Sequence, residues 1–510
     1  MSANRRDFIK FVVAGSVAAG CPIDLSLLSA QTANPNPPVV EGEDNHICHQ
    51  VRDGKVFARP AASGHRDVVI VGGGISGLTA AYLLRHHDFL LLEKEPHWGG
   101  NAYAMEFQGQ AYATGTAFCL TEEEQVTHLV KEVGLELLPI NDPDGSVLNG
   151  EWIADTWGSG LDKLPYPTPV RESFKKFKKE MRAINVEQRT KELFKVPFAD
   201  LLKGYPDELR QWWDAYGVST YGAATDEAAA GIGVLELQDL ASESEKDIRY
   251  TWPGGIGALT NKLVGTLQTG SADRIQSGCT TVAVVPDKNE VQVTYIEGTE
   301  LKTVAAKAVI MASPKFITRR IVDGLPDKQS DAMHQIRYIP YAVVNLIFDK
   351  PVFNKGFDTW CPGTAFTDIV VADWVVRNQA GYKQKYNILT CYTPLREEER
   401  PALLSEPSAR RVAVRVLSDF QKLLPGLNVD PIEVHLYRRG HAMYMSTPGL
   451  YTDVQPLARQ PMDRVFFANT DSEGPESTTN EAIAAAQRAV KEVENRLAGK
   501  PMRKETAVVG

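Results

Sequence analysis

The segment His65–Ala102, HRDVVIVGGGISGLTAAYLLRHHDFLLLEKEPHWGGNA, decides how the rest of the chain is read. Val68–Val71 is a β-branched run of the kind that forms a strand buried on both faces of a parallel sheet. It enters Gly72, Gly74 and Gly77, in the spacing GxGxxG. The first glycine permits the tight turn, the second removes a Cβ so that backbone can approach a pyrophosphate, and the third lets the helix lie close to the strand. Ser76 falls inside this turn, and Leu78, Ala81, Tyr82 and Leu84 continue at helical spacing. The start of such a helix points unpaired N–H groups and a positive dipole end at phosphates. Phe89–Leu92 predicts a second strand, followed by Glu93 and Lys94. A carboxylate at Glu93 accepts hydrogen bonds from ribose hydroxyls and repels a 2′-phosphate. The expected ligand is an adenine dinucleotide without that phosphate.

Four later segments separate FAD from NAD. HWGGNA carries a second glycine pair, Gly99 and Gly100, with Asn101 after it. Trp252–Leu263 reads WPGGIGALTNKL. TTVAVV (Thr280–Val285, containing Val282), EVQVTYI (Glu290–Ile296) and KAVIMASP (Lys307–Pro314) read as strands. Arg464–Val493, RVFFANTDSEGPESTTNEAIAAAQRAVKEV, reads as strand, acidic turn and helix. Taken in this order, the segments resemble the flavin-dependent amine-oxidase superfamily, which includes desaturases and protoporphyrinogen oxidases, and more distantly an exported spermidine dehydrogenase. The resemblance implies an α/β fold: a Rossmann-like FAD-binding domain with a discontinuously inserted α+β substrate domain. FAD is the implied cofactor. Asp471 is implied to meet the ribityl chain, the backbone around Glu481 and Ala482 to lie by the flavin ring carbonyl, and the Val282 strand to cover the adenine side.

On that resemblance the FAD-binding domain comprises 65–120, 250–321 and 457–498, and the substrate domain 121–249 and 322–456. Helical patterns appear in EEEQVTHLVKEVGLEL and SFKKFKKEMRAI, and strands are predicted over Tyr338–Phe348, Tyr386–Tyr392 and Ile432–Tyr437. Two parts of the familiar amine site are missing. No lysine stands near Ala342 or Val343, where the resemblance places one. No aromatic residue follows Phe467, so one wall of an aromatic cage is absent. In LYRRGHAMYMSTPG (Leu436–Gly449), His441 and Tyr444 are candidate acid, base or hydrogen-bond donors. Arg438 and Arg439 are candidates for holding an acidic substrate group.

The ends of the chain read differently. Arg5 and Arg6 precede Phe8, Ile9 and Lys10, then a short apolar run from Phe11 to Gly20. This resembles a twin-arginine export signal over residues 1–30, with the twin-arginine translocase as a transient partner. The run is about half of the roughly 20 residues a membrane-spanning helix needs. Cleavage after Ala30 and a lipid anchor at Cys21 both remain open. Residues 31–64 are expected to form a linker, Gln31–Glu43 without structure of its own. Residues 499–510 are expected to be a flexible tail.

The remaining composition excludes other classes. The 510 residues are 43% apolar with a formal net charge of −9, and basic residues are scattered, so nucleic-acid binding has no electrostatic support. Six widely spaced cysteines without a CxxC pair argue against a zinc site, and no metal is expected. HICHQ (His46–Gln50) reads as loop residues. The chain is therefore expected to be an exported FAD-dependent oxidoreductase taking two electrons from a small organic molecule, an amine or related compound. A desaturase or isomerase of an apolar substrate and a non-catalytic flavin-binding redox partner are the alternatives. Oxygen, a quinone or a periplasmic carrier remain open as electron acceptor.

Overall fold

Val68 and Ile70 are wholly buried against one side of a sheet, and Val69 and Val71 are buried against the other. Burying a side chain of this size contributes about 1.5–3 kcal/mol. This double burial is why His65–Val71 lies inside a parallel sheet. In the computed structural model, which describes residues 36–120, 124–243, 246–270 and 272–500, that strand runs parallel to Phe89–Leu92 and to Glu300–Met311. Ile275–Gln276 extends the sheet beyond Phe89–Leu92. On the other edge of Glu300–Met311, its first half pairs antiparallel with Val291–Glu297, which pairs with Cys279–Pro286, and its last residues take Val465–Phe467 in parallel.

Helices Ile75–Leu83, Gly257–Gly270 and Thr479–Leu497 cover one face. Leu78, Leu259 and Ile483 pack there against Val68, Ile70 and Ile310. The fold is mixed α/β, with its glycine turn at the C-terminal end of a parallel strand, where open α/β sheets place their ligands.

The second sheet has eight strands in the order Val39–Gly42, Glu433–Tyr444, Tyr338–Phe348, Asn387–Pro394, Asp368–Val371, Asp358–Trp360, Gly145–Leu148, Glu151–Ile153. Every residue of Tyr338–Phe348 is buried. Tyr341 and Val343 face a helical layer that includes Phe174, Phe177, Trp212 and Trp213. Ala342, Val344 and Leu346 face Ala409, Ala413, Val416 and Phe420 of the helix Glu406–Leu423. Helix Thr168–Arg182 buries Phe174, Phe177 and Met181, three and four residues apart, and leaves its lysines on the outer side.

One stretch departs from its sequence reading. Residues 31–64 were expected to be a linker, yet Val39–Gly42 is a strand and His46–Arg52 a helix. Val39–Gly42 pairs in parallel with His435–Arg438, and Val40 packs on the core beneath that strand. Gly42 is required by the approach: a Cβ there would lie 2.5 Å from the Arg438 carbonyl oxygen. The pairing partner is almost 400 residues away, so no local pattern announces it. The leader, the Cys21 alternative and residues 501–510 lie outside the described residues. Among the described residues no helix is long and apolar enough to cross a membrane, and the described cysteines are all free.

Candidate active site

The three glycines of the turn do different work. Gly72 has φ +112°, and a Cβ on it would stand 2.7 Å from the Ala312 carbonyl oxygen. At Gly77 a Cβ would be 1.8 Å from the Gly72 carbonyl oxygen, so this glycine sets how closely helix and strand pack. Gly74 caps the helix Ile75–Leu83, and nothing lies nearer than 3.9 Å to its missing Cβ. That space opens into a cavity of about 230 Å³, walled by the turn, the second glycine pair and the start of Thr479–Leu497. Glu93 is buried at its edge, one carboxylate oxygen accepting from Gly73 N (2.5 Å) and the other from Glu95 N (2.8 Å). Burial raises its pKa, with the charge of Lys94 opposing. Its oxygens keep lone pairs for ribose hydroxyls.

Gly72, Gly74, Ser76, Glu93, Lys94, Gly99, Gly100, Asn101 and Ala482 all line this cavity. Ser76 Oγ donates to the Ala468 carbonyl (3.1 Å), and the Asn101 amide donates to the Ala442 carbonyl. Burial disfavours the charge on Lys94, but Glu43, Glu95 and Glu93 outweigh it and raise its pKa. The open glycine, the helix start and the buried carboxylate together fit a dinucleotide, with phosphates at Gly74–Ser76 and a ribose at Glu93.

Three expected contacts are corrected, while the third glycine packs helix on strand as its spacing predicts. Gly77 lines no cavity, because it is spent on the contact with Gly72. Asp471 is wholly buried away from the cavity, accepting from Lys315 N, Lys315 Nζ and the Tyr338 hydroxyl. Asn469 and Thr470 line the wall in its place. Val282 is the extra residue of a bulge between Thr281 and Ala283, and Thr280 and Thr281 face the cavity instead. Glu481 turns toward Gly474, whose missing Cβ would lie 2.0 Å from Glu481 Cγ, while Thr478, Thr479 and Ala482 line the wall.

Sequence reasoning missed Glu43, Asn45 and Cys48, which close the nucleotide end of the cavity. Asp44 N donates to Glu95 Oε1 (3.0 Å), and Arg320 Nη1 donates to the Arg52 carbonyl (3.1 Å). The prolines and small polar residues before Val39 gave no signal for this role.

A second cavity, also of about 230 Å³, adjoins the first and shares Asn101, Thr116, Ala442, Met443 and Ser477–Thr479 with it. Six carboxylates line it: Asp144, Glu236, Asp239, Asp358, Asp368 and Glu476. Tyr216, Tyr341, Trp360, Tyr392 and Phe118 supply aromatic surface. Both cations in its wall are engaged. Arg249 pairs with Asp144 and Asp247, and the Arg439 guanidinium donates to the Thr114 and Gly100 carbonyls. Burial pushes the Asp368 carboxyl up to about 7, although Ser219 and Thr367 donate to it at 2.8 and 2.6 Å. Val343, near which the resemblance places a lysine, does face this cavity.

The candidate catalytic pair is also corrected. His441 and Tyr444 lie on the strand Glu433–Tyr444 and line the first cavity, not the acidic one. The His441 ring stacks on Phe316 with centroids 4.4 Å apart. Burial, with Arg400 nearby, lowers its pKa to about 3, so it is a neutral packing ring. The Tyr444 hydroxyl donates to the Gly474 carbonyl (3.2 Å). Arg438 donates to the Leu403 carbonyl (2.5 Å), and Arg439 is also spent on carbonyls, so neither candidate arginine is placed to hold an acidic substrate.

Residues 75–494 match the sequence profile of a family described as flavin containing amine oxidoreductase. The chain is similar to oxidoreductase PigB of Serratia sp. (strain ATCC 39006), with 24% identity covering 80% of this chain and 72% of that protein. It is also similar to flavin-containing amine oxidase A of Sus scrofa, at 23% identity over 87% and 88% of the two chains. The solved cyclohexylamine oxidase from Brevibacterium oxydans IH-35A shares the fold, with a TM-score of 0.66 and 17% identity over 85% of this chain and 99% of that one.

Proposed function

The chain belongs to the flavin containing amine oxidoreductase family, and from that premise we propose that this FAD-dependent enzyme oxidises a small cationic amine held in the acidic cavity. FAD supplies the two-electron acceptor. The observation that carries the substrate class is the charge of the second cavity, whose six carboxylates face only two guanidiniums, both engaged. A cation entering it gains electrostatic stabilisation in a low-dielectric space, whereas a carboxylic acid meets like charge.

The residues of the chain divide the work. Gly74, Ser76 and Glu93 are positioned to hold the dinucleotide, and Asn101 with Ser477–Thr479 form the boundary between cofactor and substrate spaces. Tyr341, Tyr392 and Trp360 supply apolar surface for the carbon chain, which excludes water around the reacting bond. The reading of the chain as a desaturase of an apolar molecule is opposed by the same charge, because burying an apolar chain among carboxylates leaves them without compensation. Export through the twin-arginine route is part of the proposal and rests on Arg5–Lys10.

Anaerobic mixing of the purified flavoprotein with a series of alkyl mono- and diamines, and with the matching carboxylic acids, tests the substrate class. The amines are expected to bleach the oxidised flavin spectrum and the acids to leave it unchanged. Bleaching by acids or neutral alcohols alone would refute the amine reading.

A further inference from the structure

An acidic pair lines the second cavity next to its boundary with the first. Glu476 lies in the turn just before Ser477–Thr479, the residues that line both spaces. Its carboxyl group is hydrogen-bonded to that of Glu236, from the helix Ala230–Glu243, and Tyr216 donates its hydroxyl proton to Glu236. The turn is fixed from behind: the Tyr444 hydroxyl holds the Gly474 carbonyl and Ser446 Oγ holds the Pro475 carbonyl at 2.6 Å. The Tyr221 hydroxyl, wholly buried and facing the charges of Glu236, Asp214 and Glu476, has no hydrogen-bond partner among the described residues.

Resting on the amine reading above, we infer that Glu236 and Glu476 act together as the base that takes a proton from the substrate's ammonium group beside the flavin. An amine reaches a neutral-pH site as an ammonium ion, which has no lone pair, and oxidation of the adjacent C–H bond needs that lone pair. In the step, an N–H bond of the ammonium breaks, its electron pair stays on nitrogen, and the proton forms an O–H bond with a carboxylate oxygen of the pair. The ammonium loses one positive charge and the carboxyl pair loses one negative charge.

The environment suits a proton acceptor. Burial raises both carboxyl groups; Glu236 raises Glu476 further, while the hydrogen bonds with Glu476 and Tyr216 hold Glu236 lower. Asp144, Asp239 and Glu481 add further negative charge around the pair. Tyr216, Tyr221 and Tyr444 are the phenols facing it. Across the cavity stand Asp358 and Asp368, and Arg249 is held by Asp144 and Asp247. A buried carboxyl pair that shares a proton is the pattern by which like charges in close contact titrate as a unit.

Two measurements on the flavin-loaded enzyme test this. In the first, anaerobic flavin reduction by a primary amine is followed against pH in the wild type and in the E236Q and E476Q variants. Loss of a positioned base lowers such a step about 10²- to 10⁴-fold, so both variants are expected to be slow at pH 7. Their rates should climb about tenfold per pH unit as solution supplies the neutral amine. A deficit that is the same at every pH, or no deficit, would overturn the inference while leaving the amine reading standing.

In the second, calorimetry in buffers of different ionisation enthalpy counts protons released when butyltrimethylammonium, which cannot donate a proton, binds. The wild type is expected to release up to one proton per ligand and the double variant E236Q/E476Q none. Equal release from both proteins overturns the inference. Failure of this cation and of primary amines to bind the wild type overturns the amine reading and the base together.

Discussion

Lys315 Nζ stands 2.6 Å from Asp471 Oδ1, with both side chains wholly buried. Asp471 also accepts from Lys315 N (2.8 Å) and the Tyr338 hydroxyl (2.6 Å), and Lys315 Nζ donates to Ser472 Oγ. The pair ties the start of helix Lys315–Ile321 to the acidic turn that carries Thr470 to the cofactor cavity. Removing one partner strands a buried charge, which costs about 3–5 kcal/mol. D471N is therefore expected to lower unfolding stability in urea by that amount, and the paired replacement K315M/D471L to recover most of it.

Two glycines of the same turn should respond in opposite ways. At Gly77 an added methyl meets the Gly72 carbonyl oxygen at 1.8 Å, so G77A is expected to cost at least 1–3 kcal/mol of overpacking strain. At Gly74 the methyl points into the cavity with no atom nearer than 3.9 Å. G74A is expected to keep the thermal midpoint of the flavin-free protein and to lose flavin on gel filtration. Denaturation curves and the ratio of visible to ultraviolet absorbance check both.

His441 makes the fold acid-sensitive. Its pKa falls from 6.5 to about 3 on folding, so between those values the unfolded chain binds more protons than the native one, and stability rises with pH in that window. The contribution is fully present above pH 6.5 and is progressively lost as pH drops toward 3, by up to a few kcal/mol. H441F, which preserves stacking on Phe316, is expected to flatten the stability profile between pH 4 and 6.5, as read from denaturation midpoints at each pH.

The segment Val39–Arg52 bridges the second sheet and the nucleotide end of the cavity, through the pairing with Glu433–Tyr444 and through Glu43, Asn45 and Cys48. A chain beginning at residue 55 is expected to fold around the same cores and to release FAD at least tenfold faster. Flavin fluorescence recovered in a filtrate over time measures this, and release unchanged from the longer chain refutes it.

The nucleotide half was legible because its signal is local. Strand, glycine turn, helix and Glu93 follow one another within thirty residues, each with its own chemical reason. Asp471 was misread because its partner Lys315 is brought to it by the sheet, and no spacing in either segment shows that the carboxylate is already satisfied. His441 was misread for a similar cause: the Phe316 ring that makes it a packing residue comes from a distant helix. The acidic cavity as a whole was not legible, because its carboxylates come from separate helices, strands and turns with no shared period. Glu476 carries no signal in the sequence, because its partner Glu236 lies on a helix about 240 residues earlier.

Glu300–Met311 carries residues 65–71 along one edge and residues 465–467 along the other. The cavity beside it is walled by segments as far apart as Glu43 and Ala482. A nascent chain still on the ribosome therefore exposes the glycine turn without the helix that closes it, and contacts of such long sequence separation form late. Flavin capture therefore waits for the synthesis of Thr479–Leu497, and yellow colour serves as a proofreading mark that this helix has closed the cavity.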